Sequence, residues 1–301
     1  DGARDLVLGA PGSGAPNFGS VIVYRGNARG VFEPNPTWVV HTAATQRTNN
    51  PRLGFGIDVV PCGAQPCVAV RVPTFGQNAA GASTANAGGF FVLRPGTLGP
   101  AVAGDVRVLT TAVATTRFTG EAANESVGRS GAVGDVDGDG DADYLVGAGD
   151  RNSDGAVFAF DAASLARTAP PTPLTVVRGE MGRAETLGQR VTFGRAPMGM
   201  TAPLLILSAY RNTATVFGGS VRWMPAGARL SFAERWLAGT WQDIPVLPSF
   251  DRTGTAVALG ALRGTSAGDL AIGSPGAHSS LVAMVGTTPG RAAGFRARTG
   301  A

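Results

Sequence analysis

The sequence predicts an all-β protein built from repeated four-stranded antiparallel blades, a β-propeller. Three observations carry the prediction: a composition crowded with turn formers, an apolar content too high for disorder, and a strand–turn–strand pattern that recurs five times. Of 301 residues, 45 are Gly and 20 are Pro, which suits many short strands joined by turns and not a helical bundle. The 44% hydrophobic content and four Trp separate the chain from disordered sequences, which have few aromatics and high net charge.

Each copy of the repeat has a short apolar strand, a small-residue turn, and a Gly-led second apolar strand. The copies begin at Asp5, Cys67, Asp143, Leu204 and Asp269, with steps of 62, 76, 61 and 65 residues. The first runs Asp5–Pro11 and then Gly19–Tyr24; the third runs Asp143–Gly149 and then Gly155–Phe158. A short segment carrying Gly precedes each of the last four copies: Leu53-Gly54-Phe55-Gly56, Val127-Gly128, Leu187-Gly188 and Thr253-Gly254. A further β-rich stretch follows each of the first four: Trp38–Val40, Val106–Leu109, Leu174–Val177 and Leu230–Phe232. Four strands in about 65 residues make one blade, and stacked blades protect one another's edges. The expected units are approximately 1–50, 51–123, 124–184, 185–249 and 250–301, forming one propeller that is part of a longer protein.

Leu53–Gly56, Asp5–Pro11 and the nine residues Asp135–Asp143 resemble the FG-GAP repeat of integrin alpha-subunit propellers and many bacterial surface proteins. The resemblance covers essentially the whole chain, most clearly in the first, third and fifth copies. It implies a propeller with calcium held between the first two strands of some blades, and partners on the opposite face. Family propellers usually have seven blades, whereas five units are visible here.

The acidic loop reads Asp135-Val136-Asp137-Gly138-Asp139-Gly140-Asp141-Ala142-Asp143. Alternating carboxylates with interspersed Gly supply the hard oxygen ligands calcium takes. Asp135, Asp137 and Asp139 are expected as side-chain ligands, Asp141 through its backbone carbonyl, and Asp143 as the closing side chain. An EF-hand would need Glu at loop position twelve, which is Val146, and flanking helices. The bland alternative is a solvated acidic turn, in which five carboxylates repel one another without a cation. The metal's expected role is structural.

Aligned on this loop, Asp1-Gly2-Ala3-Arg4-Asp5 matches Asp139–Asp143. The chain is therefore expected to enter partway through a second calcium loop, with its first blade lacking a first strand; a plain Asp-rich terminus is the competing reading. The second copy places Cys67 at the closing-Asp position and Cys62 five residues before it. A disulfide stapling that turn is expected, against free thiols or a metal pair that lacks further soft ligands. A disulfide places the protein in an oxidising compartment, extracellular or at the cell surface. In the fourth copy, 196–204 keeps no carboxylate, and in the fifth, 261–269 keeps only Asp269; neither is expected to bind calcium.

All 25 basic residues are Arg, scattered singly, and the net charge is +4; nucleic-acid binding requires clustering that is missing. The lack of Lys beside abundant Ala and Gly fits the codon bias of a GC-rich bacterium. No apolar run is long enough to span a membrane. Gly264–Gly268 matches the G-x-S-x-G nucleophile elbow, but it precedes a strand rather than joining a strand to a helix. His41 and His278 are the only bases of their type, no phosphate-cradling loop occurs, and Schiff-base chemistry has no Lys. The chain is not expected to be an enzyme. Trp38, Trp223, Trp236 and Trp241 could stack on sugars, though such residues more often pack between blades. Asn124-Glu125-Ser126 is a glycosylation sequon, expected to be inert in a bacterial protein.

The expected function is a non-catalytic, calcium-stabilised adhesion or binding module with a protein or glycan ligand on a loop face. A carbohydrate-binding propeller lectin and a structural domain of a larger surface assembly or enzyme are the alternatives.

Overall fold

A computed structural model of the chain describes residues 3–14, 17–47, 50–63, 65–100, 106–114, 116–167, 169–179, 186–194, 204–209, 220–225, 242–244, 256–260, 269–274, 281–286 and 294–298. Its strands are β1 (Leu6–Ala10), β2 (Ser20–Tyr24), β3 (Trp38–His41), β4 (Gly56–Pro61), β5 (Pro66–Arg71), β6 (Gly89–Leu93), β7 (Arg107–Thr110), β8 (Thr116–Thr119), β9 (Val127–Gly134) and β10 (Asp143–Ala148). They continue with β11 (Ala156–Asp161), β12 (Thr175–Arg178), β13 (Leu187–Gly194), β14 (Leu204–Ala209), β15 (Ser220–Pro225), β16 (Gln242–Ile244), β17 (Ala256–Gly260), β18 (Asp269–Ser274), β19 (Leu281–Gly286) and β20 (Gly294–Arg298). Helix among the described residues is limited to short 3-10 turns.

The strands form five four-stranded sheets, ordered β1-β2-β3-β7, β4-β5-β6-β8, β9-β10-β11-β12, β13-β14-β15-β16 and β17-β18-β19-β20. The chain is all-β, and four of the sheets are antiparallel throughout. The first is mixed, because β7 runs parallel to β3. By its internal packing the chain divides into two compact units, Asp1–Arg129 with Ala162–Thr172, and Ser130–Asp161 with Pro173–Ala301.

One expectation is corrected. Val106–Leu109 reads as the fourth strand of the second unit, yet β7 joins the first sheet, with Val39 opposite Val108 and Val40 opposite Leu109. The place beside β6 belongs to β8 instead, where Phe118 stacks on Phe90 at 5.9 Å between ring centroids. Packing decides the exchange: Leu109 joins the apolar core beneath the first sheet, and an offset aromatic pair holds β8 to β6. Leu230–Phe232 and Thr253-Gly254 lie outside the described residues, and the outer place of the fourth sheet is taken by β16.

In the first unit, Val21, Val23 and Val40 from the first sheet pack against Val70, Phe91 and Leu93 from the second, with Phe75 edge-on to Phe91 at 5.2 Å. In the second unit, Leu145, Val157 and Val177 pack against Leu187, Leu205 and Leu207. β10 is buried along its whole length, so it reads as a continuous apolar run instead of an alternating one. β1 differs: no described strand pairs with its far edge, and Leu8 is 42% exposed where the matching Val146 is 0%.

Within each unit the repeat's glycines make a sheet-to-sheet joint. Gly155 pairs in parallel with Leu187, and the same bridge joins Gly19 to Leu53 and Gly88 to Val127. Gly155 has φ +79°, and a Cβ there would stand 2.2 Å from the Leu187 backbone. Gly188 has φ +92°, with its Cβ direction 2.3 Å from the Ala156 carbonyl oxygen. Left-handed backbone together with backbone contact on the Cβ side leaves room for Gly alone.

Candidate metal centre

The acidic loop joins β9 to β10, and its ends are set by the sheet. Val136 is 1% exposed and lies in the second unit's core beside Leu145 and Leu187. Asp143 opens β10 and is 3% exposed. Between them the chain turns through Gly138 at φ +85° and Gly140 at φ +94°.

The carboxylates organise the turn through backbone N–H groups. Asp135 accepts from Gly138 N at 2.6 Å on Oδ1 and from Gly140 N at 3.1 Å on Oδ2. Asp137 Oδ1 accepts from Asp139 N at 3.1 Å, and Asp139 Oδ1 from Asp141 N at 2.8 Å. Asp143 Oδ2 accepts from Val136 N at 2.8 Å, closing the loop across seven residues. Each bonded oxygen keeps a further lone pair for a cation.

Asp135, Asp137 and Asp143 each offer one oxygen within 4.8 Å of the others, the one such cluster among the described residues. Two oxygens on opposite sides of an ion at about 2.4 Å stand about 4.8 Å apart, so the trio fits within a single calcium shell. The all-oxygen donor set is of the hard kind calcium and magnesium take. Of the five expected ligands, the structure brings these three together. Asp139 and Asp141 are exposed at the tip.

Burial and mutual repulsion act on two of the clustered carboxylates. Burial raises the pKa of Asp143 to about 7, opposed by the Val136 N–H bond and assisted by Asp137, Asp139 and Asp135. Asp137 is also raised, through burial first and then through Asp139 and Asp135. A divalent cation would reverse both shifts by supplying the missing countercharge.

Cys62 and Cys67 form a disulfide, with Cα atoms 5.6 Å apart and both residues buried. It spans the β4–β5 turn, the position the acidic loop takes between β9 and β10. Asp5 is exposed, and its Oδ1 accepts from Gly26 N at 3.0 Å. Asp1, Ser266, His278, Trp236 and Trp241 lie outside the described residues. Trp38 is half-buried and packs against the first unit's core. Asn124 has φ +60° and accepts a bond from Asn86 Nδ2 at 3.1 Å.

The sequence pattern gave no warning of the Arg71–Asp58 ion pair at 2.7 Å. Arg71 stands where the first and third copies carry Gly9 and Gly147, and its guanidinium also donates to the Gly128 carbonyl. That departure from Gly was the available signal. No helix among the described residues is long and apolar enough to cross a membrane. No protein-family model matches the chain, and no curated protein matches it.

Proposed function

We propose that the chain is a non-catalytic binding module, an FG-GAP-type β-propeller whose third blade is pinned by calcium. The observation that carries this reading is the convergence of Asp135, Asp137 and Asp143 within 4.8 Å, on a loop whose backbone already points N–H groups at the carboxylates. Calcium here neutralises carboxylates that otherwise repel and holds the β9–β10 turn closed. The metal is structural, and recognition of a protein or glycan ligand falls to variable loops at the opposite end of the blades. The buried Cys62–Cys67 disulfide supports a place of action outside the reducing cytoplasm, at the cell surface or beyond.

Thermal melting of the protein in calcium and in EDTA tests the metal reading. A higher melting temperature in calcium is expected; the same temperature in both sinks it. Immobilised protein presented to a glycan array and to extracellular-matrix proteins, with and without EDTA, tests the binding role.

A further inference from the structure

Alternate residues of β9 meet β13 of the next sheet. Ser130 Oγ donates to the Gly188 carbonyl at 2.8 Å, Ala132 lies against the second unit's core, and Gly134 meets the ring of Phe193. The next residue of this row, Val136, already belongs to the acidic loop and is buried in the same core. The first stem of the loop is therefore a continuation of the sheet joint, with the two-residue period of the strand carried into it.

At Gly134 the approach is closer than any side chain allows. A Cβ there would stand 1.9 Å from Phe193 Cδ1 and 2.1 Å from Cε1, so the ring covers the Cα of the residue before Asp135. Phe193 is itself fixed: it lies opposite the buried Leu205 of β14 and packs against the core that holds Val136. Counted from the Leu or Val of each Gly-carrying segment, the same place is Val60 ahead of the disulfide turn and Gly194 in the fourth sheet. Val60 carries a buried side chain, and the Cβ direction of Gly194 reaches Leu259 only at 3.3 Å. The contact of ring on backbone belongs to the sheet that carries the acidic loop.

We propose that Phe193 is a positioning residue for the acidic loop and, resting on the calcium reading of that loop, for the metal. Its ring is a wall against which the Gly134–Val136 stem is set, so that Asp135 comes within reach of Asp137 and Asp143. It shares the stem with the Val136–Asp143 bond and acts through Gly134, not on the ion. By linkage, an ion that draws the stem into place also firms β13.

A compensating pair of substitutions in the whole 301-residue chain tests this. Gly134→Ala drives a Cβ into the ring, and Gly134→Ala with Phe193→Ala vacates that space. Hydrogen exchange of the Val136 amide in EDTA, read by NMR, follows the stem without any ion. Gly134→Ala is expected to speed it by about tenfold, and the double variant to exchange more slowly than Gly134→Ala alone. Phe193→Leu, a milder change that keeps apolar bulk, is expected to speed Val136 exchange by about threefold and to leave the Leu205 amide unchanged. Calcium affinity by titration calorimetry is expected to be lowest for Gly134→Ala and to recover in the double variant. Failure of the parent chain to bind calcium would sink the metal reading and leave the exchange result to decide the role of Phe193. Val136 exchange unchanged by Gly134→Ala overturns the proposal, as do effects of the two alanines that simply add. Equal acceleration at Val136 and Leu205 under Phe193→Leu also overturns it, since Phe193 would then be ordinary core.

Discussion

Val136 N donates to Asp143 Oδ2 at 2.8 Å, so the two ends of the acidic loop are joined by a bond between a core residue and a candidate ligand. Val136 is held by apolar packing and Asp143 by the β10 ladder. The loop's closing geometry is thus set by the fold before any cation arrives, and a cation that binds Asp143 acts directly on the strand that supports the core.

Replacing Asp143 separates the two roles. Asp143→Asn keeps an acceptor for the Val136 N–H and loses the charge; calcium affinity is expected to fall at least about tenfold, with little loss of metal-free stability. Asp143→Ala also strands a buried N–H, costing about 1–3 kcal/mol more. Titration calorimetry and urea unfolding in EDTA check both. Equal metal-free stability of the two variants would contradict the role given to the bond.

The raised pKa of Asp143, to about 7, gives a pH dependence of definite sign. Between the ordinary carboxylate value near 4 and about 7, the native protein holds a proton that the unfolded chain has released. Metal-free stability is therefore expected to fall as pH rises through that window and to level off above it. Calcium competes with the same proton, so affinity is expected to rise with pH up to about 7. Urea midpoints in EDTA at several pH values read the first effect, which Asp143→Asn should flatten.

Glycines at the sheet joint and at loop tips are expected to respond differently. Gly81, at φ +80° with open space on its Cβ side, carries backbone strain alone when changed to Ala, about 1–3 kcal/mol. Gly188→Ala adds overlap with the Ala156 carbonyl and is expected to lose distinctly more. Denaturant midpoints of the two variants compare them; similar losses would mean that the joint yields easily.

Breaking the disulfide should cost a modest amount. Closing the short loop from Cys62 to Cys67 stabilises by about 2 kcal/mol in the chain-entropy picture. Cys62→Ser with Cys67→Ser is expected to lower stability by that order and to leave calcium binding at Asp135–Asp143 intact. A loss of calcium affinity in this variant would show that the two turns are coupled.

Much of this architecture was legible in the residues. Apolar runs such as Tyr144-Leu145-Val146 marked strands, and recurring Gly marked the joints because only Gly fits left-handed backbone against a neighbouring carbonyl. Strand partnership was not legible at β7: Val106–Leu109 advertises a strand, but its choice of β3 over β6 depends on where Leu109 finds a core. β8 was hidden because Thr116-Arg117-Phe118-Thr119 is polar enough to read as loop. At the candidate metal centre, spacing named five aspartates. The grouping of Asp135, Asp137 and Asp143 comes from the turn bringing the loop's ends together while Asp139 caps the tip.

Calcium titration of the intact protein by isothermal calorimetry decides whether the Asp135–Asp143 loop holds the metal. Saturable binding is expected, weakened by Asp135→Asn and by Asp143→Asn, and weakened less by Asp139→Asn. Absence of binding, or binding that all three variants leave unchanged, would contradict it.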